Sequence, residues 1–186
     1  MDMGVFTNGQ IYIAVYVDDL LIVGPSKPDI QKLKDSLSQQ FQMTDLGPCS
    51  YYLGMSVRRD RRNRAIYLSQ KGYINKVVKD YGMEDCNPVL IPMDTSKPEP
   101  APEGWQASEE DRRFYAGLIG SLMYAMLGTR PDIAYSVSVA SRYMANPTHA
   151  HMHLVKRILK YLKGTSHLEL VFEGELSALT RYTDSD

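Results

Sequence analysis

Asp18 and Asp19 stand side by side between two apolar runs, Gln10 to Val17 and Leu20 to Val23. Neighbours on a straight strand point to opposite faces, but a tight hairpin turn can present both carboxylates on one exposed ridge. Such a pair suits a hard divalent cation such as Mg²⁺, which prefers carboxylate oxygens and keeps positions open for phosphate and water. Two such ions roughly 4 Å apart stabilise the attacking and leaving oxygens of phosphoryl transfer. The same residues also fit an ordinary Asp-rich turn, since Asp tolerates positive φ. The flanking Val15, Val17, Leu20, Leu21, Ile22 and Val23 imply a buried strand pair, beside which two unpaired carboxylates are costly unless a cation compensates.

Basic and aromatic residues form the other candidates. Arg58, Arg59, Arg61, Arg62 and Arg64 gather at one expected hairpin tip, where guanidinium forks can grip phosphates or simply solvate a charged turn. Lys156, Lys160 and Lys163 fall on one helical face, opposite an apolar side, and read either as a nucleic-acid stripe or as a solvated face. Tyr51 and Tyr52 can stack on bases, although tyrosines on a half-buried strand more often pack. His149, His151 and His153 alternate, so on a helix they do not share a face, and a three-histidine metal site is not expected.

The elements that must position these groups follow from periodicity. Two strands with a two-residue turn hold the aspartates, and Gly24-Pro25 ends the hairpin. Ser26 is an expected N-cap and Pro28 a first-turn residue, with Ile30, Leu33, Leu37 and Phe41 at helical spacing, which gives an amphipathic helix packing on a sheet. Tyr51 to Val57 and Ala65 to Leu68 read as a second hairpin, and Ile74, Val77, Val78 and Tyr81 as the next helix. Five of the ten prolines lie between Cys86 and Ala107, a density that sustains neither helix nor central strand and reads as an extended linker. Ser108 with Glu109, Glu110 and Asp111 starts a helix whose apolar face is Leu118, Ile119, Leu122, Met123 and Met126. A second helix is expected from Pro131 to about Met144. A third opens at Thr148, turns Leu154, Val155, Ile158, Leu159 and Leu162 inward and stops at Gly164. Leu168 to Phe172 and Leu179 to Thr183 read as strands.

The chain has 186 residues, 44% of them hydrophobic, and a formal net charge of -1, which excludes global disorder and a uniformly basic protein. Nucleic-acid contact, if made, must come from local patches. Cys49 and Cys86 fit reduced thiols of structural role in an intracellular protein, cytoplasmic or nuclear. No apolar run spans a bilayer and no secretion signal stands at the N-terminus, so no membrane partner is expected.

The order Val15-Tyr16-Val17-Asp18-Asp19-Leu20-Leu21-Ile22, then Asp45-Leu46-Gly47, then Tyr52-Leu53-Gly54-Met55 resembles copia-type retrotransposon reverse transcriptase. Gly120 to Tyr124, Thr129-Arg130-Pro131-Asp132-Ile133-Ala134 and Leu159 to Thr165 resemble the region joining polymerase to RNase H in those polyproteins. The resemblance implies that Asp18 and Asp19 are Mg²⁺ ligands and that Tyr16 positions the primer end. It implies that Leu53 and Gly54 lie on a hairpin gripping the primer strand, and that Gln70 to Tyr81 is a thumb helix. It places Tyr182-Thr183-Asp184 on the first RNase H strand, with Asp184 as a metal-binding carboxylate. The partners it implies are an RNA/DNA primer-template and deoxynucleoside triphosphates.

The fold expected is α+β: residues 1–85 as the C-terminal part of a palm with its catalytic hairpin and a thumb-like helix, 86–107 as the proline-rich linker, 108–166 as a helical connection, and 167–186 as a truncated start of RNase H. The family also places a metal-binding aspartate on an earlier palm strand, and no match to it stands ahead of Asp18. Asp18, Asp19 and Asp184 are thus only part of each catalytic set, and the isolated chain is expected neither to polymerise nor to cleave. A non-catalytic nucleic-acid-binding or interaction protein descended from a decayed retrotransposon is the other reading these residues allow.

Overall fold

A computed structural model describes residues 4–95 and 98–174. The chain is α+β and divides into two units, Met1–Cys49 and Ser50–Asp186. Among the described residues no helix is long and apolar enough to cross a membrane.

The first unit is a three-stranded antiparallel meander, β1 (Val5–Thr7), β2 (Tyr12–Tyr16) and β3 (Asp19–Val23), followed by helix α1 (Lys27–Gln40). Ser26 caps α1 as expected, its side chain accepting from the Asp29 amide, and Pro28 occupies the first turn, where its missing N–H costs nothing. The expected burial does not occur. No residue of α1 is buried, Val15 is 37% exposed and Val23 51%, and Leu20, Leu21 and Ile22 are only half-buried. A short meander with one helix lacks the second full layer that a strand pair needs on its other face.

The second unit holds a four-stranded antiparallel sheet, β4 (Tyr51–Tyr52), β5 (Met55–Asp60), β6 (Ala65–Ser69) and β7 (Leu170–Phe172), in that spatial order. Four helices accompany it: α2 (Lys71–Asp80), α3 (Glu109–Gly128), α4 (Ala134–Ser141) and α5 (His149–Gly164). The stretch expected as one strand, Tyr51 to Val57, is broken at Leu53-Gly54, where φ values of 46° and 74° make a two-residue turn and pair Tyr52 with Met55. The helix expected from Pro131 is a single 3-10 turn, Pro131–Ile133, running into α4.

The core sits among these helices. Ile74, Val77 and Val78 of α2 meet Tyr115, Leu118, Ile119 and Leu122 of α3, Val137 and Ala140 of α4, and Val155, Ile158, Leu159 and Leu162 of α5. Each large side chain withdrawn from water contributes about 2 kcal/mol. The inward residues expected on α5 are all buried; on α3, Met123 instead stays 40% exposed and Tyr115 is fully buried, its hydroxyl donating to the Ala140 carbonyl at 2.8 Å. Burial pushes the Tyr115 phenol well above its ordinary range. The proline-rich segment carries no helix or strand among its described residues and is tied to the helices, with Trp105 Nε1 donating to the Pro147 carbonyl and Tyr143 Oη to that of Pro98.

Candidate metal-binding hairpin and basic surfaces

The β2–β3 register pairs Val15 with Leu20 and Tyr16 with Asp19, so the two-residue loop is Val17-Asp18. Asp19 therefore opens β3, one position earlier than the apolar run suggests, and faces Tyr16 across the strands on the same side of the sheet. Val17 takes φ 52°, the left-handed region that a hairpin of this length demands at its first loop position and that usually falls to glycine. A β-branched side chain there is strained by roughly 1–3 kcal/mol. No packing explains the choice, because Val17 is 83% exposed.

Asp18, Asp19 and Tyr16 are all exposed, Tyr16 at 58%. Among the described residues no hydrogen bond or ion pair engages either carboxylate. Two hard donors on one open turn fit a cation that keeps water and phosphate in its coordination sphere. No cluster of three or more histidine, cysteine, aspartate or glutamate side chains that could hold a metal occurs among the described residues. Asp184 lies outside them.

In the second unit the five arginines divide. Arg58 stands on β5, its Nη2 donating to Glu169 at 2.8 Å and its guanidinium lying 3.6 Å from the centre of the Tyr67 ring. It ties the approach to β7 rather than facing outward from the tip. The tip itself is shaped by Asp60, which accepts from the amides of Arg62 and Asn63 at 3.0 Å each and from the Asn63 side chain at 2.7 Å. These bonds, the Asn63 amide foremost, hold the Asp60 carboxyl below the usual carboxylate range. Arg64 takes φ 53° beside the tip, and no ion pair engages Arg59, Arg61 or Arg62 among the described residues. Those three present open guanidinium forks.

Leu53 and Gly54 form the turn between β4 and β5, and α3 covers it. Tyr124 Oη donates to the Leu53 carbonyl at 2.5 Å, and a Cβ on Gly54 would stand 2.3 Å from that oxygen. Tyr51 is 67% exposed and Tyr52 half-buried on the strand before this turn.

The lysine stripe of α5 also divides. Lys156 is exposed and Lys160 half-buried, whereas Lys163 Nζ donates to the carbonyls of Glu84 and Cys86 and holds the chain that follows α2. His151 is fully buried and structural: its Nδ1 accepts from the Thr148 amide at 2.9 Å, Nε2 meets the Glu99 carbonyl at 2.8 Å, and the ring stacks on Tyr143.

Two polar clusters lie outside the candidate site residues. Gln70 is 1% exposed and receives the Thr129 hydroxyl at 2.9 Å beside the end of α3, where Gly128 leaves it room. Arg130, also 1% exposed, is gripped by Asp132 and Thr165. Neither belongs to a periodic pattern. Burial of a lone polar residue between elements leaves no trace in spacing.

The family described as reverse transcriptase (RNA-dependent DNA polymerase) matches residues 1–95. The chain is 43% identical over 183 residues to the retrovirus-related Pol polyprotein from transposon TNT 1-94 of Nicotiana tabacum, an overlap of 96% of this chain and 14% of that protein. It is 36% identical over 177 residues to the retrovirus-related Pol polyprotein from transposon RE1 of Arabidopsis thaliana, covering 95% of this chain and 12% of that protein. An uncharacterized mitochondrial protein of Arabidopsis thaliana is likewise 36% identical over 177 residues, covering 95% of this chain and 71% of its own length. The chain thus spans a small share of the polyproteins it matches. No solved structure matches it.

Proposed function

The chain belongs to the reverse transcriptase family of copia-type retrotransposon Pol polyproteins, and from that membership we propose that its Val17-Asp18 turn is the metal-holding hairpin of an RNA-directed DNA polymerase. One observation carries the reading. Val17 is held in a left-handed conformation, fully out in solvent, between a tyrosine and two unengaged carboxylates. Strain of that kind, without a packing reason, collects at sites that a ligand uses.

Asp18 and Asp19 would hold Mg²⁺, which when bound supplies charge stabilisation for the oxygens of nucleotidyl transfer. Tyr16, opposite Asp19 on the same face, positions the primer end and moves no proton. Arg59, Arg61 and Arg62 offer forks for phosphates of the primer-template, and the Leu53-Gly54 turn would grip the primer strand. In this reading the first unit belongs to a palm, α2 to a thumb, and α3 to α5 to the connection leading into RNase H. A substrate set of deoxynucleoside triphosphates and RNA/DNA duplex fits the expected intracellular setting, cytoplasmic or nuclear.

Asp18 and Asp19 are part of a larger carboxylate set in the family, and we expect these 186 residues alone not to extend a primer. Primer extension by this chain with Mg²⁺ and triphosphates would refute that. A Mg²⁺ titration followed through the hairpin amides should show saturable shifts that vanish in the Asp18→Asn, Asp19→Asn double variant, and equal shifts in both proteins would leave only an Asp-rich turn. A second reading, nucleic-acid binding without catalysis, draws on the open forks of Arg59, Arg61 and Arg62. It requires primer-template affinity that survives EDTA and is lost when those arginines become alanine.

A further inference from the structure

Arg130 and Arg157 each hold a carboxylate through Nη2, but only Arg130 also engages its Nε. At Arg130, Nε reaches Asp132 Oδ1 at 2.9 Å and Nη2 reaches Oδ2 at 2.7 Å. At Arg157, Nη2 stands 2.8 Å from Asp94 Oδ1, while Nε is buried with no hydrogen-bond partner among the described residues. An orphaned donor on a charged group is unfavourable, and the geometry of the edge calls for a second oxygen from the same anion.

Arg157 borders a cleft of about 500 Å³ between α5 and the proline-rich segment. His153, Lys156 and Lys160 line it alongside Arg157, with Met93 and Leu154 supplying apolar surface. No ion pair or hydrogen bond engages His153, Lys156 or Lys160 among the described residues. Asp94 is the carboxylate among the lining residues, and its side chain is 59% exposed, so it can leave the guanidinium for water at little cost.

We infer that this cleft binds a phosphate group, which takes the Nε–Nη2 edge of Arg157 in place of Asp94 and is neutralised by Lys156 and Lys160. Asp94 is then an internal occupant that fills half of the fork until a ligand arrives. A tetrahedral phosphate offers the two oxygens that the single Asp94 contact does not, and two lysines flanking one fork give more positive charge than a lone carboxylate balances. This inference rests on the nucleic-acid reading of the basic face of α5 and needs no metal at Asp18 or Asp19.

The test uses the full chain in EDTA with a short labelled single-stranded DNA, read by fluorescence anisotropy, and with inorganic phosphate as competitor. Asp94→Asn should tighten binding about threefold or more, because the competitor for the fork is gone. Lys156→Gln with Lys160→Gln should weaken it about tenfold, and Arg157→Lys, which keeps the charge but loses the fork, should weaken it as well. Displacement of the DNA by inorganic phosphate would assign the site to any phosphate group. The same variant pattern without displacement would assign it to the nucleic-acid backbone. Affinity that is unchanged or reduced in Asp94→Asn, unchanged in the lysine variant, or matched by an acidic peptide with the same variant pattern would overturn the inference. Because EDTA removes the hairpin from the measurement, such a failure leaves the metal reading of Asp18 and Asp19 standing, and the Mg²⁺ titration can fail without touching this cleft.

Discussion

Arg130 and Asp132, separated only by Pro131, close on each other through two parallel bonds of 2.9 and 2.7 Å in a pocket that leaves Arg130 1% exposed. The remaining guanidinium donors reach the Thr165 carbonyl and hydroxyl at 3.0 and 2.6 Å, and Tyr161 Oη donates to Asp132 at 2.8 Å. Residues just past the end of α3 are thereby joined to the end of α5. Arg130 is buried but the Asp132 side chain is 35% exposed, so Asp132→Ala leaves a buried guanidinium short of one screened partner and should lower stability by about 1–3 kcal/mol in urea unfolding. Burial pushes the Asp132 carboxyl up, but the hydrogen bonds from Arg130 and Tyr161 outweigh it and hold the group below its ordinary value of 3.8. A depressed value means that this stabilisation is complete above pH 3.8 and disappears as pH falls through the lower folded value. The acid side of the stability profile should accordingly flatten in Asp132→Asn, and an unaltered profile would count against the pair.

Gly54 is required by its neighbour as well as by its own φ of 74°. A methyl group there would meet Tyr124 Oη at 2.3 Å but the ring carbon behind it only at 3.4 Å. Gly54→Ala should therefore cost about 2–4 kcal/mol, the sum of left-handed strain and overpacking. In Tyr124→Phe the oxygen is gone, and the same substitution should cost only the strain, about 1–2 kcal/mol. Additive costs in the double-mutant cycle would show that the contact is not what selects glycine.

Elements whose signal is local were legible in the sequence. Ser26, Ser108 and Thr148 each cap the helix expected of them, and the inward face of α5 is as its spacing dictates. Misreadings arose where tertiary partners decide. Tyr51 to Val57 looks like one strand because Leu53 is apolar, yet the Tyr124 hydroxyl and the freedom of Gly54 fold it back on itself. By type Val17 belongs to a strand, so composition puts the β2–β3 loop one residue late, at Asp18-Asp19, and only the register shows Val17 in the turn. The burial expected of β2 and β3 fails for a related reason: apolar residues state what a strand can pack against, not whether a layer is present to cover it. The candidate carboxylates Asp18 and Asp19 stand out without tertiary information, whereas Arg130, Gln70 and the Arg157–Asp94 pair do not.

Val17→Gly offers a direct measure of strain at the hairpin. At an ordinary strand position the change would destabilise by about 1 kcal/mol through backbone entropy. Here the left-handed φ of 52° and 83% exposure mean that little apolar contact is lost and strain of roughly 1–3 kcal/mol is relieved, so stability should hold or rise by about 1 kcal/mol. Amide exchange of Tyr16 and Asp19, which pair across the turn, is the local readout. Faster exchange in the glycine variant would mean that valine stabilises the turn by a route other than backbone geometry.

His151 closes the first turn of α5 from within, and its replacement should act on that end of the helix alone. Thr148 Oγ1 accepts from the His151 amide while His151 Nδ1 accepts from the Thr148 amide, a reciprocal cap in which imidazole stands where glutamate is usual. Because Nδ1 accepts, Nε2 carries the proton and donates it to the Glu99 carbonyl, which fastens the proline-rich segment. Phenylalanine would keep the stack on Tyr143, whose ring centre is 3.8 Å away, but would leave the half-buried Thr148 amide and the Glu99 carbonyl without their imidazole partner. His151→Phe should thus cost about 2–4 kcal/mol, and Thr148→Ala about 1 kcal/mol. The two losses should fall short of additive, since each variant already opens the same cap. Hydrogen exchange should quicken at the amides of residues 149–152 and stay unchanged near Leu162; a uniform acceleration along α5 would show instead that His151 holds the whole helix in place rather than its cap.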